Sequence, residues 1–336
     1  MRIPVLLLGL LMLSAASPPE PPPLPDILKP YVRDGRLVPS DFGYLVPLLS
    51  GGHPADDSAF AAFLKWQETC WAEAKSRVRA DLQALGIAEP KIDNFAGAPL
   101  LCRMAAYTPF QPNAMTVAHF QELRQRVSPI AETYLVAVRQ AKNFSVQRGG
   151  TLTDSLIARP LGEQMLRMAT SWGQGAMLDV PKLSPEELKF FQSRIGMEIA
   201  VLDQENTEWL KGVVAKQGWP KISVVGQRAA NEAWLLAQHA DHDPVFQLQV
   251  LRLMEPLVPT GEVSKSNYAY LYDRIMLKLT GKQRYATQIT CQAGKRLPSP
   301  LEDDKTVDRL RAEMGMDPLA KYMKQMDELV GICPPA

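Results

Sequence analysis

Residues 184–220 read SPEELKFFQSRIGMEIAVLDQENTEWLKGVVAKQGWP, and this stretch decides the fold expected for the second half of the chain. Ser184 caps a helix, Pro185 suits its first position, and Glu187 completes a capping box. Apolar residues then recur at helical spacing, at Leu188, Phe191, Ile195, Ile199, Leu202, Leu210 and Val213. Gly218 is a helix-stop glycine. One long helix is therefore predicted from its own start and stop signals.

Asn206 interrupts that apolar stripe, with Asp203 and Thr207 beside it. An unpaired polar group in a core costs roughly 1 to 3 kcal/mol, so the amide must find partners. Two alternatives are open: Asn206 belongs to a buried polar site, or it bonds the end of a neighbouring helix.

Helical periodicity dominates the rest of the chain as well, and the fold class predicted is all-α, resembling a helix bundle. In the first half we expect helices from Phe60 to Val78, across residues 116–147 with a bend at Pro129, and across residues 155–177. The alternating residues 284–290 form the one strand-like segment. The first half carries no chemical motif, and a surface or capping role is expected for its His53 and His119.

The amino terminus indicates export. Residues 1–16 combine Arg2, a short apolar run and the small residues Ser14-Ala15-Ala16, which is typical of a cleaved signal peptide rather than a retained anchor. Residues 17–30 form a proline-rich spacer that we expect to be extended and held clear of the fold. Two helical domains should follow, at residues 31–180 and 183–333. The predicted location is periplasmic or secreted.

Charge excludes some functions. The chain has 37 basic and 36 acidic residues, and cleavage removes Arg2, so the mature protein is close to neutral. No basic stripe suits nucleic acid, and no basic amphipathic helix suits a membrane surface, so neither is an expected partner.

Four cysteines in an exported chain favour disulfides. Three pairings are compatible with the sequence; we predict Cys70–Cys102 and Cys291–Cys333, because pairing within each half needs one bond per folding unit.

Unusual polar residues concentrate between residues 218 and 288. His239 borders a small-residue face, where a half-buried imidazole could act as acid, base or ligand, or could be a bonded core residue; with Asp241 it forms the catalytic candidate. The candidate ligand-binding residues are Asn206, Trp219, Gln238, Gln247, Asp273, Arg274, Gln283, Tyr285 and Gln288. For Trp219 and Arg274, packing and a bridge between helices are the ordinary alternatives.

A metal site at this place is not expected. His239 and His242 are three residues apart, but Asp243-Pro244 begins the next helix where a third ligand would be needed. No zinc motif accompanies them, so we predict neither a metal nor another cofactor.

The same residues carry a resemblance. They are Trp219-Pro220, the Q-H-A-D at 238–241, Gln247, the L-x-D-R at 271–274 and the Q-x-Y-x-x-Q at 283–288. Together they resemble an uncharacterised bacterial family, domain of unknown function 6624, over roughly residues 183–322. The resemblance implies a site but no reaction. Where its pattern has glycine, this chain has Ala286, which does not favour positive φ.

Three functions remain after these exclusions. The first is a cell-envelope binding or interaction module for a polar ligand, such as a sugar, a peptide or a peptidoglycan fragment. The second is a hydrolase with His239 as general base, oriented by Asp241 or Asp273 and assisted by Arg274 or the glutamines. The third is a structural polar cluster without a site. The sequence slightly favours binding.

Overall fold

This computed structural model describes residues 19–38, 41–49, 58–108, 115–148, 150–171, 182–330 and 333. The predicted signal peptide and His53 lie outside these ranges. The helices are α1 (Val46–Leu49), α2 (Ser58–Ala84), α3 (Leu100–Ala106), α4 (Val117–Arg148), α5 (Leu152–Ala158), α6 (Pro160–Thr170), α7 (Pro185–Gln217), α8 (Ile222–Gln238), α9 (Pro244–Met254), α10 (Lys265–Thr280), α11 (Val307–Glu313) and α12 (Leu319–Val330). The mainly helical class is confirmed.

Two short antiparallel hairpins accompany the helices. Strands β1 (Val32–Arg33) and β2 (Arg36–Leu37) pair near the start, and β3 (Ile289–Gln292) pairs with β4 (Lys295–Pro298) near the end. Across the described ranges, no helix is both long and apolar enough to cross a bilayer.

The start and stop signals of α7 are confirmed. The Ser184 side chain accepts from the Glu187 amide at 3.2 Å, and Glu187 in return accepts from the Ser184 amide at 2.8 Å. Gly218 ends the helix at φ 75°, in the region that favours glycine. Local chemistry therefore sets both ends of this 33-residue helix.

Helix α7 contributes to two hydrophobic cores. Its first half places Phe190, Phe191 and Ile195 in a core that also contains residues of α2, α3 and α4. Its second half places Leu210 in a core built mainly by α8, α9 and α10. Val78 of α2 belongs to that second core too. The two halves of the chain are thus joined by the shared helix α7 and also by α2 and α5, which contact α9 and α8.

The predicted helix over residues 155–177 is instead divided in two. Helix α5 ends at Ala158, and α6 starts at Pro160, which has no amide proton to continue the hydrogen-bonding of the preceding helix. Residues 172–177 lie outside the described ranges. The new start at Pro160 directs α6 along α7, the neighbour with which it packs most extensively.

The proline-rich spacer is docked on the protein. Residues 19–25 have no regular secondary structure, as expected, but the Trp66 indole donates to the Pro22 carbonyl at 3.2 Å. Leu24 packs against the first core, and Leu28 is fully buried in it. Apolar side chains between the prolines therefore hold this segment against the fold, where we had expected it to stand clear.

Both predicted disulfides are confirmed. Cys70–Cys102 joins α2 to α3 with a Cα–Cα distance of 6.2 Å. Cys291–Cys333 joins β3 to the carboxy-terminal end at 5.6 Å. Each bond closes a loop within its own half of the chain.

Candidate functional site

The candidate site is centred on the turn between α8 and α9. Helix α8 ends at Gln238, His239 follows as its cap, and Asp243 caps α9 by accepting from the Phe246 amide at 2.9 Å. Residues 239–243 therefore contain four polar side chains in five positions. Of the four, His239, Asp241 and Asp243 bond different partners, and His242 has no hydrogen-bond partner in the described ranges.

His239 is bonded to a carboxylate that the sequence analysis did not identify. Its Nδ1 lies 2.6 Å from Oε1 of Glu163 on α6, and Glu163 is fully buried. The other carboxylate oxygen accepts from the Asn206 side chain at 3.2 Å. Asp241 and Asp273, which we had expected to orient the imidazole, have other partners. Glu163 holds the ring in place because α6 packs between α4, α7 and α8.

The second ring nitrogen of His239, Nε2, has no hydrogen-bond partner in the described part of the chain. The atom is also not one of the buried, unpartnered polar atoms, so it is open to solvent. About 13% of the side chain is exposed. An imidazole with a buried carboxylate on one nitrogen and solvent at the other is arranged for proton transfer.

A second carboxylate, Asp203 on α7, lies beside Glu163. Arg167 of α6 donates to both oxygens of Asp203, at 3.0 and 2.9 Å, and its Nη1 is 3.9 Å from Glu163. Burial raises the pKa of Asp203 to about 7, since Arg167 only partly offsets it and Glu163 adds to it. Burial also acts to raise the pKa of Glu163, but the bond and charge of His239, with Arg167, outweigh it and lower that pKa. The pKa values of these two adjacent carboxyl groups are thus shifted in opposite directions.

Asp241 lies in an ion cluster of its own. It accepts from Arg274 Nε at 2.9 Å and from Arg274 Nη2, and Lys278 Nζ is 3.0 Å away. Burial would raise the pKa of Asp241, but its bonds and charge interactions with Arg274 and Lys278 lower it to about 2. Asp241 is therefore a stable anion paired to α10, and the same pairing occupies the Arg274 guanidinium.

Gln247 joins this cluster to the end of α8. Its Nε2 donates to the carbonyls of Ala237 and Gln238, at 3.0 and 3.3 Å, and is 3.4 Å from Asp241. These are carbonyls of the last helical turn, which has no intrahelical donors for them. The side-chain oxygens of Gln247 and Gln238 are buried and have no partner among the described residues.

His242 is buried below the turn. Neither of its ring nitrogens has a hydrogen-bond partner in the described ranges. Burial lowers its pKa well below the usual range, and the positive charges of Arg103, Lys211 and Lys278 act in the same direction. His242 is therefore neutral. No group of three or more histidine, cysteine or carboxylate side chains in the described ranges is placed to hold a metal ion.

The remaining predicted residues, Asp273 of α10 and three residues that follow this helix, stabilise the loop between α10 and β3. Asp273 is fully buried and accepts from the amides of Arg284, Tyr285 and Thr287, at 2.7 to 2.9 Å. Because these amides bind a carboxylate, they are not available for strand pairing, and the strand β3 begins only at Ile289. The strand-like segment predicted at 284–290 is corrected accordingly.

Gln283 completes this loop. Its Nε2 donates to the carbonyls of Gln288 and Ser299, at 2.7 and 2.8 Å, and its Oε1 accepts from the Gln288 amide at 2.9 Å. The hydrogen-bonding capacity of Gln283 and Asp273 is used within the chain. No contact joins Gln283, Tyr285 or Gln288 to His239.

Ala286 takes the conformation that its sequence did not favour. Its φ is 54°, in the left-handed region, and the residue is fully buried. Arg311 donates to the Tyr285 carbonyl at 2.7 Å and also contacts the Ala286 carbonyl. The bonds from Asp273 and Arg311 on either side maintain the turn despite the unfavourable residue.

Trp219 is a packing residue at the opposite end of α8. It precedes the helix while His239 follows it, so the whole length of α8 lies between them in the chain. The indole is 5% exposed and belongs to the second core.

Glu163 and Arg167 are the principal residues that sequence reasoning missed. The available signal was a carboxylate on the buried face of α6, three positions before Leu166 and six before Ala169, both fully buried. The same kind of signal had identified Asn206 in α7. Their convergence depends on the packing of α6 on α7, which no local pattern specifies.

Comparison with known proteins supports the resemblance. Residues 191–333 match the model of a family described as "Family of unknown function (DUF6624)". The match covers the carboxy-terminal part of the chain and includes every candidate residue from Asn206 to Gln288, but it does not include Glu163 or Arg167. No curated protein and no solved structure gave a significant match.

Proposed function

We propose that this protein is a hydrolase of a small polar substrate, with His239 as its general base. The observation that carries the proposal is the bond between His239 Nδ1 and the buried Glu163 carboxylate, which leaves Nε2 without a partner in the described chain. This arrangement favours catalysis over the binding function that the sequence slightly favoured.

Each residue has a role in this proposal. Nε2 of His239 accepts a proton from water as the water attacks a carbonyl or phosphoryl centre, and the imidazolium then returns that proton to the leaving group. Glu163 orients the ring and stabilises its positive charge. Arg167, whose Nη1 has no hydrogen-bond partner in the described ranges, places a cation beside the dyad.

A binding module for a polar ligand is the second candidate. It is favoured by buried polar atoms that have no partner among the described residues: the side-chain oxygens of Thr207, Gln238 and Gln247. Buried polar groups in native proteins are normally satisfied, so a ligand with hydrogen-bond donors would complement them.

We further propose that the mature protein works outside the cytoplasm, in the periplasm or as a secreted protein. The sequence of residues 1–16 and the two disulfides support this location, because disulfides persist in oxidising compartments.

A substrate panel tests the hydrolase. The mature protein would be assayed on p-nitrophenyl acetate, p-nitrophenyl phosphate and soluble peptidoglycan fragments. We expect turnover of at least one, lowered about 100-fold or more by His239→Gln and by Glu163→Gln. His119→Gln, which changes a surface histidine paired with Glu186, is the matched control and should leave the rate unchanged. Turnover that survives His239→Gln, or no turnover on the whole panel, would contradict catalysis at His239.

The binding candidate is tested with the same compounds by thermal shift. A ligand that raises the melting temperature of wild-type protein but not of Gln238→Leu, with no turnover, would favour the binding module instead.

A further inference from the structure

A pocket separate from the His239 site lies between α4, the segment at Asp41 and α7. Its volume is about 630 Å³, which is in the range of small-molecule sites. It is lined by Asp41, Gln121, Arg124, Gln125, Ser128, Pro129, Glu132 and Arg194. Nothing in the proposed hydrolase function uses these residues.

One face of α4 forms most of the wall. Gln121, Gln125, Ser128 and Glu132 follow one another at intervals of four, three and four residues, so they share a side of the helix. Pro129 has no amide proton to offer to the Gln125 carbonyl, which therefore lacks its usual donor within the helix. Four polar side chains therefore line this wall, together with Pro129.

Arg194 of α7 is the central feature of the pocket. The residue is only 5% exposed, yet its Nη1 has no hydrogen-bond partner among the described residues. Its Nη2 reaches Glu132 at 3.4 Å, a long contact, and Glu132 is also bonded to Arg139. A buried guanidinium normally requires hydrogen-bonded anions. Glu132 is the hydrogen-bonded carboxylate of Arg194 among the described residues, while the charges of Glu198 and Asp41 act on Arg194 without a hydrogen bond.

Two further residues of the pocket show which of its hydrogen-bond donors have no partner. The Ser128 hydroxyl is also buried and unpartnered in the described chain. Arg124, in contrast, is matched by Asp41, which accepts from Nε at 2.8 Å and from Nη2 at 2.6 Å. Among the described residues, the buried donors of the pocket that have no partner are therefore those of Arg194 and Ser128.

We propose that this pocket is a binding site for a small ligand with a carboxylate group, which Arg194 and Ser128 bind through directed hydrogen bonds. The planar fork of a guanidinium fits the two oxygens of a carboxylate, and a serine hydroxyl donates one further bond. Gln121 and Gln125 provide amides for the remainder of the ligand.

Isothermal titration of the mature protein tests the site with a matched pair of probes, N-acetylalanine and N-acetylalanine amide, and with inorganic phosphate. We expect the acid to bind saturably with a Kd of about 1 mM, as for a fragment of this size, and the amide at least about 10-fold more weakly. Arg194→Gln should weaken binding of the acid about 10-fold or more, and Ser128→Ala by a smaller factor.

Two controls locate the site. Arg126→Gln removes the same charge from α4, the helix that forms the pocket wall, but Arg126 is exposed, pairs with Glu187 and does not line the pocket, so binding should be unchanged. His239→Gln should also bind normally, which separates this pocket from the proposed active site. If Arg194→Gln does not fold, Ser128→Ala decides the question, since it leaves every charge in place.

Three results would overturn the proposal. The first is equal affinity for the acid and its amide. The second is affinity for the acid that is unchanged in both Arg194→Gln and Ser128→Ala. The third is the absence of saturable binding of the acid, whether or not phosphate binds.

Discussion

Nδ1 of His239 and Oε1 of Glu163 lie 2.6 Å apart, although 76 positions separate the two residues in the chain. His239 lies inside the segment that matches the family model, and Glu163 lies before it. His239 of the matched segment is therefore bonded to a carboxylate from the part of this chain that the family model does not cover.

The His239–Glu163 pair should be energetically coupled. Glu163→Ala removes a buried carboxylate and leaves His239, Asn206 and Arg167 without its charge, so we expect a loss of about 3 kcal/mol in the free energy of unfolding. The double variant with His239→Ala should lose about 1 to 3 kcal/mol less than the sum of the single variants. Urea denaturation of all four proteins measures both quantities.

The surface pair His119–Glu186 is the matched control for this cycle. Its atoms are 2.9 Å apart, but both side chains are nearly half exposed. Glu186→Ala should therefore cost less than about 1 kcal/mol. Equal costs at the two pairs would show that burial of Glu163 has no energetic consequence.

Asp203 should make stability depend on pH between about pH 4 and pH 7. Burial raises its folded-state pKa from 3.8 to about 7, so the folded protein holds this proton more tightly than the unfolded chain does. This stabilisation is complete below about pH 4 and is lost as the pH rises towards 7. Glu163, with its lowered pKa, loses its contribution only as the pH falls below its ordinary value of 4.5, which overlaps this window only at its acid end.

Asp203→Asn isolates that effect because asparagine has no proton to lose. From pH 5 to pH 8 the stability of the variant relative to wild type should rise by roughly 1 to 3 kcal/mol. Urea denaturation at several pH values measures the difference, in which the titration of His242 cancels. A constant difference between the two proteins would contradict the raised pKa.

Ala286→Gly should be one of the few tolerated alanine-to-glycine changes in this protein. Alanine at φ 54° carries roughly 1 to 2 kcal/mol of strain, which glycine removes, while glycine adds about 0.4 to 1 kcal/mol of unfolded-state entropy. We expect unchanged stability or a gain of up to about 1 kcal/mol, measured by urea denaturation. Ala233→Gly, at a fully buried helical position of α8, should instead lose about 1 kcal/mol or more. Equal losses at both positions would exclude relief of strain.

The disulfide Cys70–Cys102 should contribute strongly to the first core. In the chain-entropy account, closing a loop of 32 residues stabilises the protein by about 3 to 4 kcal/mol. The double variant Cys70→Ser, Cys102→Ser should lose about that amount in denaturant titration. Peptide mapping without reduction should recover Cys70 with Cys102 and Cys291 with Cys333, and any crossed pair would refute the connectivity.

The predicted site residues separate into three groups by their contacts. His239 and Asn206 meet at Glu163, and Asp241, Arg274 and Gln247 form an ion cluster on the other side of the turn. Asp273 of α10 binds the loop before β3, and Gln283, Tyr285 and Gln288 belong to that loop. Helical periodicity placed Asn206 within an apolar stripe, and it placed Gln247, Asp273 and Arg274 at the edges of such stripes. It did not predict which of them would meet, because periodicity records a face of one helix and not its neighbour.

The sequence by itself determined the features that depend on a few consecutive residues. The capping box of α7, the glycine stop at Gly218, the proline start of α9 and the helical class follow from steric and hydrogen-bonding rules that act within one turn of helix. Only the tertiary structure decided that Glu163 is the partner of His239, that Asp241 is paired to α10, and that Arg194 has unused donors in a pocket. Those contacts join residues dozens of positions apart, and they are set by how the helices pack across two cores that share α7.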